Sequence, residues 1–369
     1  MQIVARGLVF DPARVEDALQ VCSFTSLLQL RDGTFLVSCR RGTAKDSADG
    51  NTAIFQSTDQ GATWSEISSG FETQFEGIPG EVRSAELAEL DDGRLLAVLG
   101  WVDRAGGDGV LRDSESDMLP AMHLLQEYSS DGGQSWSGRR VLQRHSVLSG
   151  PIVRLDDRGW LVTSEYSHGA NEATSRCHAA YAHFSRDGEV FEPAVDVVPG
   201  NSQIFYYDQR QRCCPHSERL VSMFWTYDIH AEADIEMHMA WGDPKSLVWS
   251  SPTSMGVKGQ IAMPIPLSDG RLLAFYVHRH APGSLRLMVS TDQGVTWNRK
   301  TELIVYESAG TVEQGTAAQT TYDEFWDAMG TWSFGHPSAA VLEDGSLLLV
   351  FYAGPHESSL SVHWARVEL

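Results

Sequence analysis

One pattern recurs along the chain and constrains its fold more than any other feature. An apolar run of strand length leads into a short polar turn, most often Asp-Gly, and a second apolar run follows. The copies are "SFTSLLQLRDGTFLVSCR" (Ser23–Arg40), "RSAELAELDDGRLLAVLGW" (Arg83–Trp101), "SGPIVRLDDRGWLVTSEY" (Ser149–Tyr166), "QIAMPIPLSDGRLLAFYVH" (Gln260–His278) and "GHPSAAVLEDGSLLLVFY" (Gly335–Tyr352). A blurred copy, "NSQIFYYDQRQRCCPHSERLVSMFWTY", spans Asn201–Tyr227. Two β-prone runs joined by a tight turn are a hairpin signature. Six hairpins in 369 residues leave about 60 residues per unit, enough for the four short strands of one propeller blade. No long segment shows a 3.6-residue apolar period, so few helices are expected.

A second repeat lies between the hairpins. "STDQGATW" (Ser57–Trp64), "SSDGGQSW" (Ser129–Trp136) and "STDQGVTW" (Ser290–Trp297) share Ser-x-Asp-x-Gly-x-x-Trp. Ser and Asp oxygens bond backbone N–H groups a few residues on, Gly supplies a positive φ, and Trp anchors the turn. These octapeptides resemble the Asp-box (BNR) repeats of the sialidase superfamily, and "SRDGEVF" (Ser185–Phe191) reads as a shortened relic. The resemblance covers nearly the whole chain. It implies an all-β, six-bladed β-propeller over residues 1–369 as one domain, with each box between the third and fourth strands of a blade. The boxes read as structural staples. The terminal runs Gln2–Phe10 and Leu360–Leu369 should pair and close the ring, because a closed ring leaves no open sheet edge.

In this topology the starts of innermost strands and the ends of second strands share one face. That face collects Arg40, Arg41, Asp46 and Asp49 from blade 1, and Glu81, Arg83, Trp101, Asp103 and Arg104 from blade 2. Blades 3 to 6 add Glu165, Tyr166 and His168; Gln203, Tyr227, Asp228 and His230; Gln260, His278, Arg279 and His280; and Trp332, Phe334 and His336. Acids for proton transfer, Arg for a carboxylate and aromatics for stacking suit a sugar ligand. The candidate catalytic set is Asp46, with Arg40 and Arg41 beside it, together with Glu165, Glu81, Asp228 and His336. The candidate substrate-binding set is Arg40, Arg41, Arg83, His168, Gln203, Tyr227, Gln260, His278 and Trp332. Arg83 is the expected partner of a substrate carboxylate. The 27-residue insertion Glu307–Ser333 should end at this face.

The chain departs from the sialidase pattern in its chemistry. Ser23 stands where the family places the first Arg of its carboxylate-gripping triad, and Arg83 occupies the same offset one blade along. Arg40 and Asp46 match the family's next Arg and its acidic Asp in spacing. His336 stands where the nucleophilic Tyr belongs, and the Tyr's Glu partner has no clean match. The first reading is therefore a glycoside hydrolase acting on an acidic sugar or oligosaccharide. A uronate-sugar lyase using His or Tyr, and a non-catalytic glycan-binding propeller, are the alternatives.

Composition narrows the partners. A formal net charge of −21 argues against nucleic acid and anionic membrane surfaces. No apolar run approaches the ~20 residues of a membrane span. The N-terminus lacks a signal peptide's apolar region, and five Cys without a C-x-x-C pair suggest reduced thiols in a cytoplasmic protein. The reading calls for a small carbohydrate as partner and for no cofactor or metal, and it leaves the oligomeric state open.

Overall fold

A computed structural model describes residues 1–14, 19, 21–108, 111, 119–166, 178–308 and 328–369. The chain is all-β and forms a six-bladed β-propeller. Blade 1 runs Val21–Gln29, Phe35–Gly42, Asn51–Ser57 and Ser65–Ser68, and blade 2 runs Gly80–Glu89, Leu95–Asp103, Met122–Ser129 and Ser137–Arg144, both as antiparallel meanders. In blade 3 the innermost strand is split into Ser146–Leu148 and Val153–Arg154, ahead of Trp160–Tyr166, His178–Ser185 and Val195–Asn201. Blade 4 is built on Ile204–Cys213, Leu220–Asp228, Glu236–Asp243 and Thr253–Lys258. Blade 5 is Ala262–Pro266, Leu272–His278, Ser284–Ser290 and Leu303–Glu307. Blade 6 is Phe334–Val341, Leu347–His356 and Ser359–Glu368, completed by the N-terminal strand Gln2–Phe10, which pairs antiparallel with Ser359–Glu368. The expected closure through the termini is thus present.

The hairpin turns repeat atom for atom. In "LRDGT" Leu30 N–H donates to the Thr34 carbonyl at 2.8 Å and Gly33 N–H to the Leu30 carbonyl at 3.0 Å. Asp32 Oδ1 accepts from Thr34 N–H at 2.9 Å. The same closure joins Leu90 to Arg94, Leu267 to Arg271 and Leu342 to Ser346. Gly33 has φ 87°, the region glycine enters without steric cost.

The Ser-x-Asp turns lie at the opposite end of the strands. The third strand of blade 1 begins beside Arg41 and ends at Ser57 opposite Phe35. At that end Ser57 Oγ donates to Asp59 Oδ1 at 2.8 Å and accepts from Gly61 N–H at 2.9 Å. Thr63 closes the turn on both Asp59 oxygens through N–H and Oγ1–H, at 2.9 and 2.6 Å. Asp131 and Asp292 make the same bonds with Ser135 and Thr296. Blade 4 substitutes Asp243, which accepts from Lys245 N–H and Ser246 Oγ–H, both at 2.9 Å. Blade 6 has no such turn because its fourth strand comes from the other terminus.

Second and third strands are buried on both faces, which is why they read as continuous apolar runs. Leu36 and Ile54 of blade 1 pack against Ala97, Leu99 and Leu125 of blade 2, while Val37 and Phe55 pack against Leu348 and Val350 of blade 6. Each blade is thereby clamped between its neighbours. Four cysteines, Cys22, Cys39, Cys213 and Cys214, are free thiols. Among the described residues no helix is long and apolar enough to cross a membrane.

Candidate functional site

The innermost strands carry the feature that builds the site. In blades 1, 4 and 6 the register against the second strand slips, so two residues face one: Phe24-Thr25, Asp208-Gln209 and His336-Pro337. The first residue of each pair takes a left-handed backbone, with φ 53° for Phe24, 49° for Asp208 and 47° for His336. In blade 2 a single extra residue, Arg83, is squeezed between Val82 and Ser84. Such β-bulges turn a side chain out of the alternation. Phe24, Arg83, Asp208 and His336 all line one cavity of about 180 Å³. Non-glycine residues at positive φ are uncommon and strained, and three at equivalent bulges mark a site held open against local preference.

Three acidic residues line this cavity, Asp46, Glu165 and Asp208, and the two from opposite blades, Asp46 and Asp208, differ electrostatically. Asp46, in the blade 1 loop, accepts from Arg83 Nη2 at 2.6 Å. Burial pushes its carboxyl up, but Arg83 and Lys45 outweigh that and hold it below the ordinary aspartate range. Asp208 of blade 4 is pushed up to about 6, by burial first and by the neighbouring Glu165 charge, with Arg210 opposing. Its side chain is 22% exposed and meets Arg210 Nη2 at 3.3 Å. Its own N–H donates to Glu165 Oε1 at 2.6 Å. Glu165 Oε2 pairs with His178 Nε2 at 2.7 Å, and His178 Nδ1 accepts from Tyr206 N–H at 3.3 Å. The histidine proton therefore sits on Nε2, donated to Glu165.

Arg210 is the hub beneath the cavity. Nη1 reaches Glu86 Oε1 at 3.3 Å, and Nη2 spans Asp208 and His336 Nδ1, the latter at 3.0 Å. A guanidinium only donates, so His336 Nδ1 accepts and its proton is on Nε2. Burial, then the Arg210 charge, holds the His336 pKa well below the usual histidine value, so the ring is neutral. Glu86, raised by burial, also accepts from Ser26 Oγ at 2.5 Å. Gly150 allows this packing, since a Cβ there would lie 2.0 Å from Glu86 Oε1.

The cations on the other side are less well compensated. Lys45 Nζ donates to the carbonyls of Met329 and Trp332 at 2.6 and 3.1 Å. Arg279 Nε donates to Gln260 Oε1 at 2.7 Å and Nη2 to the Phe334 carbonyl at 2.8 Å, and its plane lies 4.0 Å from the Trp332 ring centre. Its buried Nη1 has no acceptor among the described residues. Neither Lys45 nor Arg279 forms an ion pair among those residues, though both line the cavity. Burial, and then the charge of Arg279, lowers the Lys45 pKa well below the usual lysine value.

Of the residues expected from sequence, Asp46, Arg83, Glu165, Tyr166, Arg279, Trp332 and His336 line the cavity together. Others stand behind or beside it. Arg40 is fully buried and donates to Glu81 Oε2 at 2.7 Å. Glu81, equally buried, is also bonded by Arg104 and Arg83, so three guanidinium groups occupy it and hold it ionised against burial. It is their counter-ion and does not line the cavity. Arg41 points outward, 4.5 Å from the Phe10 ring centre and 3.2 Å from Glu66. Asp228 caps its own turn by accepting from His230 and Ala231 N–H. Gln203 is exposed on the connection before blade 4, its carbonyl bonded by Ile229 N–H. Tyr227 is buried in the apolar core of blades 4 to 6. Gln260 is tied between Arg279 and Asp234, one layer behind the cavity. His278 is turned toward His280 and lies outside the cavity lining. His168 and most of the Glu307–Ser333 insertion fall outside the described residues, but Met329 and Trp332 at the insertion's end do reach the cavity.

Asp208, Arg210, Lys45, Glu86 and His178 escaped the sequence reading. Lys45 adjoins Asp46 in "AKDS". Asp208 sits at the same bulge position as His336, a signal visible only if the innermost strand of blade 4 is aligned on its bulge. Among the described residues no group of three or more His, Cys, Asp or Glu is placed to hold a metal ion.

Solved structures of other proteins share this architecture. A protein from Dyadobacter fermentans DSM 18053, described as of unknown function, aligns with TM-score 0.70 and 14% identity over 100% of this chain and 99% of its own. The fold is shared with propeller glycosidases. A Penicillium chrysogenum α-L-arabinanase, solved with arabinobiose, aligns at TM-score 0.65 and 14% identity over 100% of this chain and 99% of its own. The NanB sialidase of Streptococcus pneumoniae aligns at 0.63 and 11% over 98% of this chain and 70% of its own. No protein-family model matches the chain, nor does any curated protein sequence.

Proposed function

We propose that this protein is a glycoside hydrolase acting on a small sugar that carries one anionic group. The observation that carries the reading is the contrast between two cavity carboxyls, Asp208 raised to about 6 and Asp46 held ionised by Arg83. Paired carboxyls whose surroundings drive their pKa values apart are the acid and base of glycoside hydrolysis. Asp208 is the proton donor to the leaving oxygen. Asp46 is the charged partner, acting on water or on the sugar's developing positive charge. Glu165 orients Asp208 and keeps its proton on. The general acid expected at Asp46 therefore moves to Asp208, and the carboxylate grip expected of Arg83 moves to Lys45 and Arg279. Arg83 is already neutralised by Asp46 and Glu81, whereas Arg279, buried and in no ion pair among the described residues, favours an anionic ligand. The sialidase-type turns and the closed ring support the same superfamily, with a different set of reacting residues.

The lyase alternative loses its clearest base. His336 spends Nδ1 on Arg210 and presents an N–H to the cavity, which donates and does not abstract a proton. The test is a screen of aryl glycosides of uronic and sialic acids against neutral aryl glycosides, with absorbance of unsaturated uronates followed in parallel. Release of the aryl group from acidic glycosides, abolished by Asp208→Asn, supports the proposal. Formation of unsaturated product, or turnover confined to neutral glycosides, refutes it.

A further inference from the structure

The cavity is chemically divided, and the division says what the substrate carries besides its sugar. One side, formed by blades 5, 6 and 1, holds Lys45, Arg279, Trp332 and Tyr352. The facing side, from blades 2 and 3, carries an apolar cluster of Leu111, Leu119, Met122, Val147 and Leu148, alongside Arg83, Ser84, Glu165, Tyr166 and His178 of the same blades. Leu119 and Met122 rest on buried Val102, so the shelf has a solid apolar backing. Asp46, beside Lys45 in the blade 1 loop, and Asp208, from blade 4, line the same cavity.

An aliphatic shelf offers a hydroxyl no partner, and a polar group buried there without a hydrogen bond loses free energy relative to water. Over this cluster an apolar group is therefore a better occupant than a sugar hydroxyl. The cation pair takes the anionic glycone, so the bond to be broken lies over the carboxyls and the leaving group extends onto the shelf. Resting on the function proposed above, we infer that the shelf is a leaving-group subsite for an apolar aglycone, an alkyl or aryl group, and that the substrate is a small acidic glycoconjugate, not a polysaccharide. Transfer of apolar surface from water favours such a ligand by about fourfold in affinity per buried methylene.

The two sides each carry a reporter methionine, Met122 on the shelf and Met329 beside the cations. The experiment is NMR of the full chain labelled with [methyl-¹³C]Met, the two signals assigned with Met122→Leu and Met329→Leu. Three probes are titrated: phenol, sodium glucuronate and phenyl glucuronide in both anomers. Phenol should shift Met122 and leave Met329 in place, glucuronate should do the reverse, and one anomer of phenyl glucuronide should shift both and bind at least tenfold tighter than glucuronate. Val147→Asn should weaken phenol binding at least tenfold with the Met329 signal unmoved, and Leu119→Gln serves if that variant fails to fold. Phenol that shifts neither methionine, or Met329 alone, overturns the subsite. Phenol at Met122 with glucuronate silent everywhere leaves the subsite standing and counts against the acidic-sugar reading instead.

Discussion

Asp208 should lower the stability of the fold at neutral pH, and its removal should show this. Its carboxyl titrates at about 6 in the folded protein and near 3.9 in an unfolded chain. The folded state thus binds the proton more tightly, and the penalty falls on the ionised form. Above pH ~6 both states are ionised and the penalty is complete; below pH ~4 both are protonated and it vanishes. The folded and unfolded midpoints lie about two pH units apart, and at ~1.4 kcal/mol per pH unit the penalty is about 3 kcal/mol. This is an upper figure, because the Asp208 side chain is 22% exposed and solvent screens part of the penalty. Asparagine imitates the protonated form in shape and still accepts from Arg210 Nη2. Asp208→Asn should therefore unfold at higher urea than wild type at pH 8, by up to about 3 kcal/mol. The advantage should shrink at ~1.4 kcal/mol per pH unit from pH 6 downward and disappear near pH 4.

The assay is urea unfolding followed by tryptophan fluorescence at five pH values, with the m-value checked for constancy. The same variant should be inactive if Asp208 is the proton donor, a residue that costs stability and supplies function. An Asp208→Asn protein less stable than wild type at pH 8, or a stability difference that ignores pH, would show that Asp208 is an ordinary ion-paired carboxylate and would remove it from the acid's role.

Other outcomes follow from the same contacts. Glu165→Gln removes the like charge beside Asp208 and should lower its titration midpoint by about one pH unit or more, moving the alkaline limb of kcat/KM toward acid. Arg279→Met should weaken binding of an acidic glycoside by 10- to 150-fold, the equivalent of ~1.5–3 kcal/mol for one charge-assisted bond, and should change KM more than kcat. Asp59→Asn should lower stability by on the order of 1 kcal/mol through lost turn bonds and leave turnover intact, because the turn lies at the far end of the blade. Deleting residues 1–10 should cost far more than that, since it strips blade 6 of its fourth strand; a thermal midpoint unchanged by the deletion would contradict the ring closure.

The fold was legible because its determinants are local. A tight turn needs Asp and Gly at fixed positions, and a strand buried on both faces must be apolar throughout, so the hairpins and their number are written in short stretches of sequence. The Ser-x-Asp turns were legible for the same reason, and the one at Asp243 was hidden because Trp241 and Lys245 stand where the Ser and Gly belong. The site was legible where a side chain follows the repeat's offset, as Arg83 and His336 do. It was illegible where its character depends on partners brought from other blades. Nothing near Arg83 in sequence announces that Asp46, 37 residues away, neutralises it. Nothing near Lys45 announces that it meets carbonyls 284 and 287 residues later.

Asp208 shows the deeper reason. In regular alternation, a residue's face follows from its parity along the strand, and the innermost strand of blade 4 gives no sequence mark of where that parity breaks. The break at Tyr207/Arg210 moves Asp208 into the cavity and keeps Arg210 beneath it, both touching through Arg210 Nη2. The equivalent breaks in blades 1 and 6 do the same for Phe24 and His336, whose rings meet edge to face with centroids 4.6 Å apart. A bulge disrupts the ladder locally and strains a non-glycine residue at positive φ. Three such bulges around one axis are stable because each strained residue is held from outside its strand: Phe24 by Arg83 and His336, His336 by Arg210, Asp208 by Glu165. The site is thus a property of the closed ring. Six blades must meet before the bulges have anything to lean on, so a site of this kind is specified by contacts between repeats and not by any one repeat's sequence.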